Sequence, residues 1–159
     1  MITLKEAKDY VKENVNKGVR CPCCEGFVKL YKRKINSGMA LFLIGLYKLD
    51  KVAPYTNYFQ NKEVMELMKL NTASLDYSVL EHFGLIQSKK HGYYDHKRTK
   101  CTGYWKITDR GREFVKRQIK VEKRVWLLHN QVMGFDRDTV DIKHCLGSKF
   151  DYEELMYND

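Results

Sequence analysis

The 159-residue sequence predicts an α+β fold. Three observations predict it. Apolar residues recur at helical spacing in four stretches before residue 84. Two β-leaning stretches, 85–88 and 103–108, then flank a polar, basic, glycine-containing segment. A further pair of β-leaning stretches lies beyond residue 120. Hydrophobic residues make up 43% of the chain, enough to build a core without disulfides.

Taken in order, Thr3-Leu4-Lys5-Glu6 has the spacing of a capping box and opens a first helix. Leu4, Ala7, Val11 and Val15 continue it at helical spacing until Gly18. Residues 19–35 are β-leaning through Phe27, Val28, Leu30, Tyr31 and Ile35, with their register open. Asn36-Ser37-Gly38 introduces an apolar helix over 39–49, expected to be buried on most sides. Pro54 and Asn57 mark a loop, and 61–70 reads as a short helix with Val64, Leu67 and Met68 facing inward. Asn71-Thr72 offers a cap for a third helix over 73–83, with Leu75, Val79, Leu80 and Phe83 as its apolar face. Gly84 stands where a left-handed C-cap residue is wanted. In the strand over 103–108, Trp105 and Ile107 fall on one side and Tyr104, Lys106 and Thr108 on the other. Thr108 caps a helix through Arg112, Phe114 and Val115. Residues 121–128 read as one strand, turned by His129-Asn130-Gln131 into 132–135. Two short helices follow, 141–146 and 152–156. The expected organisation is an N-terminal helix and cysteine knuckle over 1–36, a central domain over 37–120, and a small β-hairpin and helix extension over 121–159.

The net charge of +9 is unevenly spread. A basic surplus fills 86–124, whereas 135–159 carries three Lys/Arg against seven Asp/Glu. A concentrated basic segment points to a polyanionic partner, with a solvated basic face as the competing explanation.

Three helices, the third ending at Gly84, then strand, basic loop, strand and helix, make the order of a winged helix-turn-helix core. The wording is similar to MarR-like and PadR-like regulators. Gly84-Leu85-Ile86 resembles the end of their recognition helix, and Ile107-Thr108-Asp109-Arg110-Gly111 the turn that closes their wing. The whole chain also resembles a group of small phage and prophage proteins. That likeness is carried by Cys21-Pro22-x-Cys24, by Tyr31 to Ala40 and by Leu146 to Met156. It implies a phage origin, in an infected or lysogenic bacterial host, and supplies no mechanism.

In a winged helix the third helix enters the major groove and the wing meets the backbone. The wing suits nucleic acid, duplex DNA first. Lys89, Lys90, Lys97, Arg98 and Lys100 supply charge, while His91, Tyr93, Tyr94 and His96 can bond phosphates or stack. The third helix suits it poorly. Its exposed set, Ser74, Asp76, Tyr77, Ser78, Glu81 and His82, holds no Arg or Lys, so only Asn71 and Thr72 at its start can reach bases. Two functions compete: a transcriptional regulator or DNA-associated accessory factor that uses the wing and the stretch Lys29–Lys34, and an inhibitor or adaptor that binds a host protein through the winged-helix surface. By resemblance to regulators of this fold a homodimer is expected, with the stripe of the first helix as its interface.

Cys21 and Cys24 form a Cys-x-x-Cys pair followed by Gly26, which resembles the first half of a zinc ribbon and makes zinc a candidate cofactor. The competing readings are a degenerate knuckle whose cysteines are buried as small hydrophobes and a redox pair, against which the lack of a surrounding βαβ pattern argues. No second Cys-x-x-Cys exists to complete four ligands. Paired catalytic carboxylates, a Ser/His/Asp grouping and a glycine-rich phosphate loop are all missing from their contexts, so a non-enzymatic protein is expected. Met1 to Glu6 has no signal-peptide character and no apolar run approaches a membrane span. A cytoplasmic protein with reduced thiols, and no membrane partner, is the expectation.

Overall fold

The computed structural model describes residues 2–53, 58–71, 76–90 and 101–157, and only the backbone of Lys90, Cys101 and Thr102. In chain order the elements are α1 (Leu4–Asn14), β1 (Val19–Arg20), β2 (Phe27–Val28), β3 (Tyr31–Lys34), α2 (Ser37–Val52), β4 (Phe59–Gln60), α3 (Asn61–Met68) and α4 (Val79–His82). They continue with β5 (Ile86–Lys90), β6 (Cys101–Ile107), α5 (Asp109–Val115), β7 (Val121–Glu122), β8 (Arg124–Leu128), β9 (Gln131–Phe135), β10 (Thr139–Val140), α6 (Ile142–Leu146) and α7 (Tyr152–Tyr157). The fold is α+β with small antiparallel sheets.

Two compact units share the chain, and each is discontinuous. Unit 1 comprises Met1–Lys34 and Lys123–Arg137; unit 2 comprises Ile35–Glu122 and Asp138–Asp159. The contacts therefore do not follow the contiguous segments 1–36, 37–120 and 121–159. The second hairpin pairs with β3, far upstream, and so leaves the C-terminal helices behind.

In unit 1, α1 starts on the predicted capping box: the Glu6 N–H donates to Thr3 Oγ1 (3.2 Å) and the Thr3 N–H to Glu6 Oε2 (2.7 Å). Ala7 is buried, but Leu4 is 63% exposed, so the expected stripe is only partly covered. The ambiguous stretch after Gly18 resolves into the β1–β2 hairpin and β3. β3, β8 and β9 form a three-stranded sheet in the order β3-β8-β9. The β8–β9 turn is where the sequence places it, with His129 and Asn130 both at positive φ (49° and 63°), as a tight twisted hairpin requires. The expected strand over 121–128 breaks at Lys123, because its two ends find different partners. Val121 pairs with Val140 of β10 in unit 2, whereas Val125 pairs with Arg33 and Phe135 in unit 1.

Unit 2 is built on α2, capped by Asn36, whose Oδ1 accepts from the Met39 N–H (2.9 Å). Every residue from Met39 to Leu46 is buried, as expected of so apolar a helix. Gly45 lets α3 approach closely: a Cβ there would lie 2.6 Å from Met68 Cγ. On α3, Val64 and Met65 face the core, while Leu67, expected inward, is 46% exposed. The third helix is shorter than expected. α4 covers Val79–His82, and its first N–H groups, those of Val79 and Leu80, bond back three residues to the carbonyls of Asp76 and Tyr77 (3.0 Å each). Of the expected helix, residues 72–75 lie outside the described residues. Tyr77, expected to be exposed, instead stacks on Phe42 (centroids 4.3 Å apart) and meets the Trp105 ring edge-on. Its hydroxyl accepts from Asn61 Nδ2 (2.8 Å).

The sheet of unit 2 runs in the order β4-β6-β5, antiparallel throughout, with Phe59 opposite Trp105 and Ile86 opposite Ile107. The two motifs flanking the hairpin meet at its base. Thr108 Oγ1 donates to the Gly84 carbonyl (2.6 Å), the Thr108 N–H to Leu85 O (3.1 Å) and Arg110 Nε to Phe83 O (3.0 Å). Downstream, Asp141 caps α6 by accepting from the His144 N–H (2.9 Å), and the Tyr152 hydroxyl of α7 donates to the Val115 carbonyl (2.6 Å). Among the described residues no helix is long and apolar enough to cross a membrane.

Candidate nucleic-acid interface

The residues assigned to the wing tip, His91, Tyr93, Tyr94, His96, Lys97, Arg98 and Lys100, lie outside the described residues, as does Thr72. Lys90 is placed by its backbone alone, as the last residue of β5. Lys89 and Asn71 are described, and Lys89 has company that the sequence reading did not name. Ser88 pairs with Trp105 and Gln87 with Lys106, so the buried side of the sheet carries Ile86, Ser88, Trp105 and Ile107. The opposite side carries Gln87, Lys89, Tyr104 and Lys106. On that outward face Lys89 Nζ lies 5.6 Å from the Tyr58 ring centroid and 5.9 Å from that of Tyr104, and Lys106 Nζ lies 5.2 Å from Tyr58. Rings within about 6 Å of a cation hold it electrostatically. Two ammonium groups are thus drawn onto two tyrosines at the root of the hairpin. Tyr58 escaped the sequence reading because it joins this face only when β4 pairs with β6.

Several arginines after β6 are held in ion pairs. Arg112 forks onto Asp50 (2.9 and 3.2 Å) and reaches Asp109 (2.6 Å), which holds its guanidinium above its ordinary range. Arg110 pairs with Glu122 (3.1 Å) and Arg117 with Asp141 (3.4 Å). On α4, Glu81 accepts from Ser88 Oγ (3.2 Å), which ties that carboxylate to the sheet. Counted by unit, charge is distributed differently from its order along the chain. Unit 1 has twelve Lys/Arg against five Asp/Glu; unit 2 has seventeen against fifteen. Most of the surplus belongs to unit 1.

In unit 1 the cysteine knuckle sits at the tip of the β1–β2 hairpin. The Cys21 N–H donates to Gly26 O and the Glu25 N–H to Cys21 O, both at 2.8 Å, with Glu25 at φ 61°. The Cys21 thiol is held below its usual range by backbone N–H groups of Cys24 and Cys23 that bond its sulfur. A sulfur facing two N–H donors favours the thiolate, the form that ligates metal. Cys23 and Cys24 are exposed, which overturns the reading of these cysteines as buried hydrophobes. Among the cysteines whose side chains are described, Cys145 fits that description: burial in α6 pushes its thiol up to about 12. Two knuckle sulfurs would make half of a four-ligand site, and among the described residues no group of three or more His, Cys, Asp or Glu is placed to hold a metal ion.

The sheet of unit 1 presents a second aromatic. Trp126 lies under Lys32, whose Nζ is 4.9 Å from the ring. The ring also covers Gly134, where a Cβ would come 2.9 Å from Trp126 Cε3. Its Nε1 donates to Asp136 Oδ1 (2.7 Å), and Arg124 Nε to Asp136 Oδ2 (2.6 Å). Comparison with protein families, curated proteins and solved structures finds no match to this chain.

Proposed function

We propose that this chain is a phage-encoded nucleic-acid-binding protein of the winged-helix type, a transcriptional regulator or a DNA-associated accessory factor. The order α2-β4-α3-α4-β5-β6, with strands arranged β4-β6-β5, supports assigning unit 2 to that fold. In this reading the β5–β6 hairpin is the wing. The observation that carries the reading is the outward sheet face, where Lys89 and Lys106 are drawn onto Tyr58 and Tyr104. Cations so oriented meet a phosphate backbone with little further loss of side-chain freedom. Of the described α4, Val79 and Leu80 are buried and Glu81 and His82 remain, so in this reading affinity comes from backbone contacts and discrimination between sequences is low.

The test is an anisotropy titration of a labelled duplex at two salt concentrations. Wild type should lose affinity with salt at a log–log slope of roughly −0.9 per phosphate contact. The Lys89→Glu/Lys106→Glu variant should bind at least about tenfold more weakly with unchanged circular dichroism, because exposed charges contribute little to stability. The wing-tip change Lys97→Glu/Arg98→Glu/Lys100→Glu should act in the same direction. If wild type binds no duplex at low salt, the reading fails and recognition of a host protein by this unit takes its place.

A further inference from the structure

We propose that unit 1 binds single-stranded DNA in a groove on its three-stranded sheet, stacking bases on Phe27 and Tyr31 and meeting phosphates with Lys29 and Arg33. The groove has a volume of about 230 Å³ and is lined by these four residues with Leu127 and His129. Strand register explains the grouping. Tyr31 lies opposite Leu127 and Arg33 opposite Val125, so Tyr31, Arg33 and Leu127 share one face of the sheet.

Phe27 is 54% exposed and Tyr31 49% exposed, although rings of this size are ordinarily covered. Both are held rather than loose. Gly18 (φ +89°) has no side chain, and a Cβ there would lie 2.6 Å from Phe27 Cζ, so the ring rests on the backbone at the end of the α1 turn. The Leu30 N–H donates to the Val15 carbonyl (2.9 Å), tying the segment between the two rings to α1. Lys29 Nζ stands 5.4 Å from the Tyr31 centroid, which puts a cation beside an exposed ring.

Exposed rings flanked by cations match a polymer that offers flat bases and one phosphate per base. A duplex hides its base faces in the stack, so it would engage the cations and leave the rings unused. An acidic peptide would do the same. The twelve-to-five charge imbalance of unit 1 favours a polyanion over an apolar partner. Stacking and charge do not separate DNA from RNA. The choice of DNA rests on the reading of unit 2, and the experiment separates the two.

The full chain is titrated with labelled oligothymidine, oligouridine and a duplex. Phe27→Ala and Tyr31→Ala should each weaken oligothymidine binding by roughly fivefold or more, whereas Tyr31→Trp should retain it. Lys29→Gln/Arg33→Gln should flatten the single-strand salt slope by about 1.4, at 0.7 per lost phosphate contact. The three ring variants should leave duplex affinity unchanged, because a duplex does not use the rings. Wild-type single-strand affinity in the alanine variants overturns the proposal. Should those variants unfold, an unchanged slope in Lys29→Gln/Arg33→Gln overturns it instead. Tighter binding of oligouridine overturns the assignment to DNA. Oligothymidine binding by a chain that ignores duplex supports this site and removes the function assigned to unit 2.

Discussion

Gly111 shows how a single missing methyl group can decide a local structure. It sits in the first turn of α5, where its N–H donates to Thr108 Oγ1 (3.0 Å). Helix propensity alone favours alanine there by about 1 kcal/mol. A Cβ at this position, however, would collide with the Leu85 carbonyl and lie 2.7 Å from Ile107 Cγ1. Gly111→Ala should therefore destabilise the protein by about 1–3 kcal/mol, the range for overpacking, as a lower urea midpoint. A neutral or stabilising result would show that the helix can shift away from Leu85. Asp136 is the matching case in electrostatics. Its carboxyl is held below the usual range by Arg124 first and by the Trp126 N–H second. A depressed carboxylate stabilises the fold above its unfolded value, near pH 4, and that contribution is lost as pH falls through the depressed value. Asp136→Asn should lower the melting temperature at pH 7 in tryptophan-fluorescence melts, and the difference from wild type should vanish in strong acid.

At the scale of elements, the cysteine hairpin gives the clearest forecast. Exposed thiols at its tip contrast with the buried Cys145. Brief alkylation read by peptide mass spectrometry should modify Cys21, Cys23 and Cys24 well before Cys145. If Cys21 and Cys24 ligate zinc, added zinc should slow alkylation of those two selectively. Equal rates with and without zinc would remove zinc as a cofactor. Local signals were legible wherever an element is specified by its own residues. The Thr3/Glu6 box, the Asn36 and Thr108 caps and the His129-Asn130 turn each formed where expected. The third helix was not legible in this way. Tyr77 turns inward to Phe42 and Trp105, and these partners lie 35 and 28 residues away in the chain.

Across the whole molecule, α1 leaves Leu4 of the expected dimer stripe exposed, whereas Ala7 of the same stripe is buried. Light scattering at micromolar concentration should return a dimer mass for wild type and a monomer mass for Leu4→Asp. A monomer from wild type would end the case for a two-fold symmetric DNA site. The charge of the molecule carries a similar lesson. Within the basic surplus over 86–124, Arg110, Arg112 and Arg117 are paired with Glu122, Asp50 and Asp141. Counted by unit, the larger surplus lies in unit 1, where residues from either side of 35–122 come together.

The sequence by itself determined the α+β class, the buried central helix, the caps, the tight turn, and the alternation that sets Trp105 and Ile107 inward and Tyr104 and Lys106 outward. Each of these depends on residues within a turn or a strand of one another, where sterics and capping act alone. Only the tertiary structure decided that residues 121–128 divide between two units, that Tyr58 joins Lys89 and Lys106, and that Phe27 and Tyr31 share a groove with Arg33. Strand partners distant in the chain are selected by complementary buried faces. That selection is made by the packed whole, and no short window of sequence contains it.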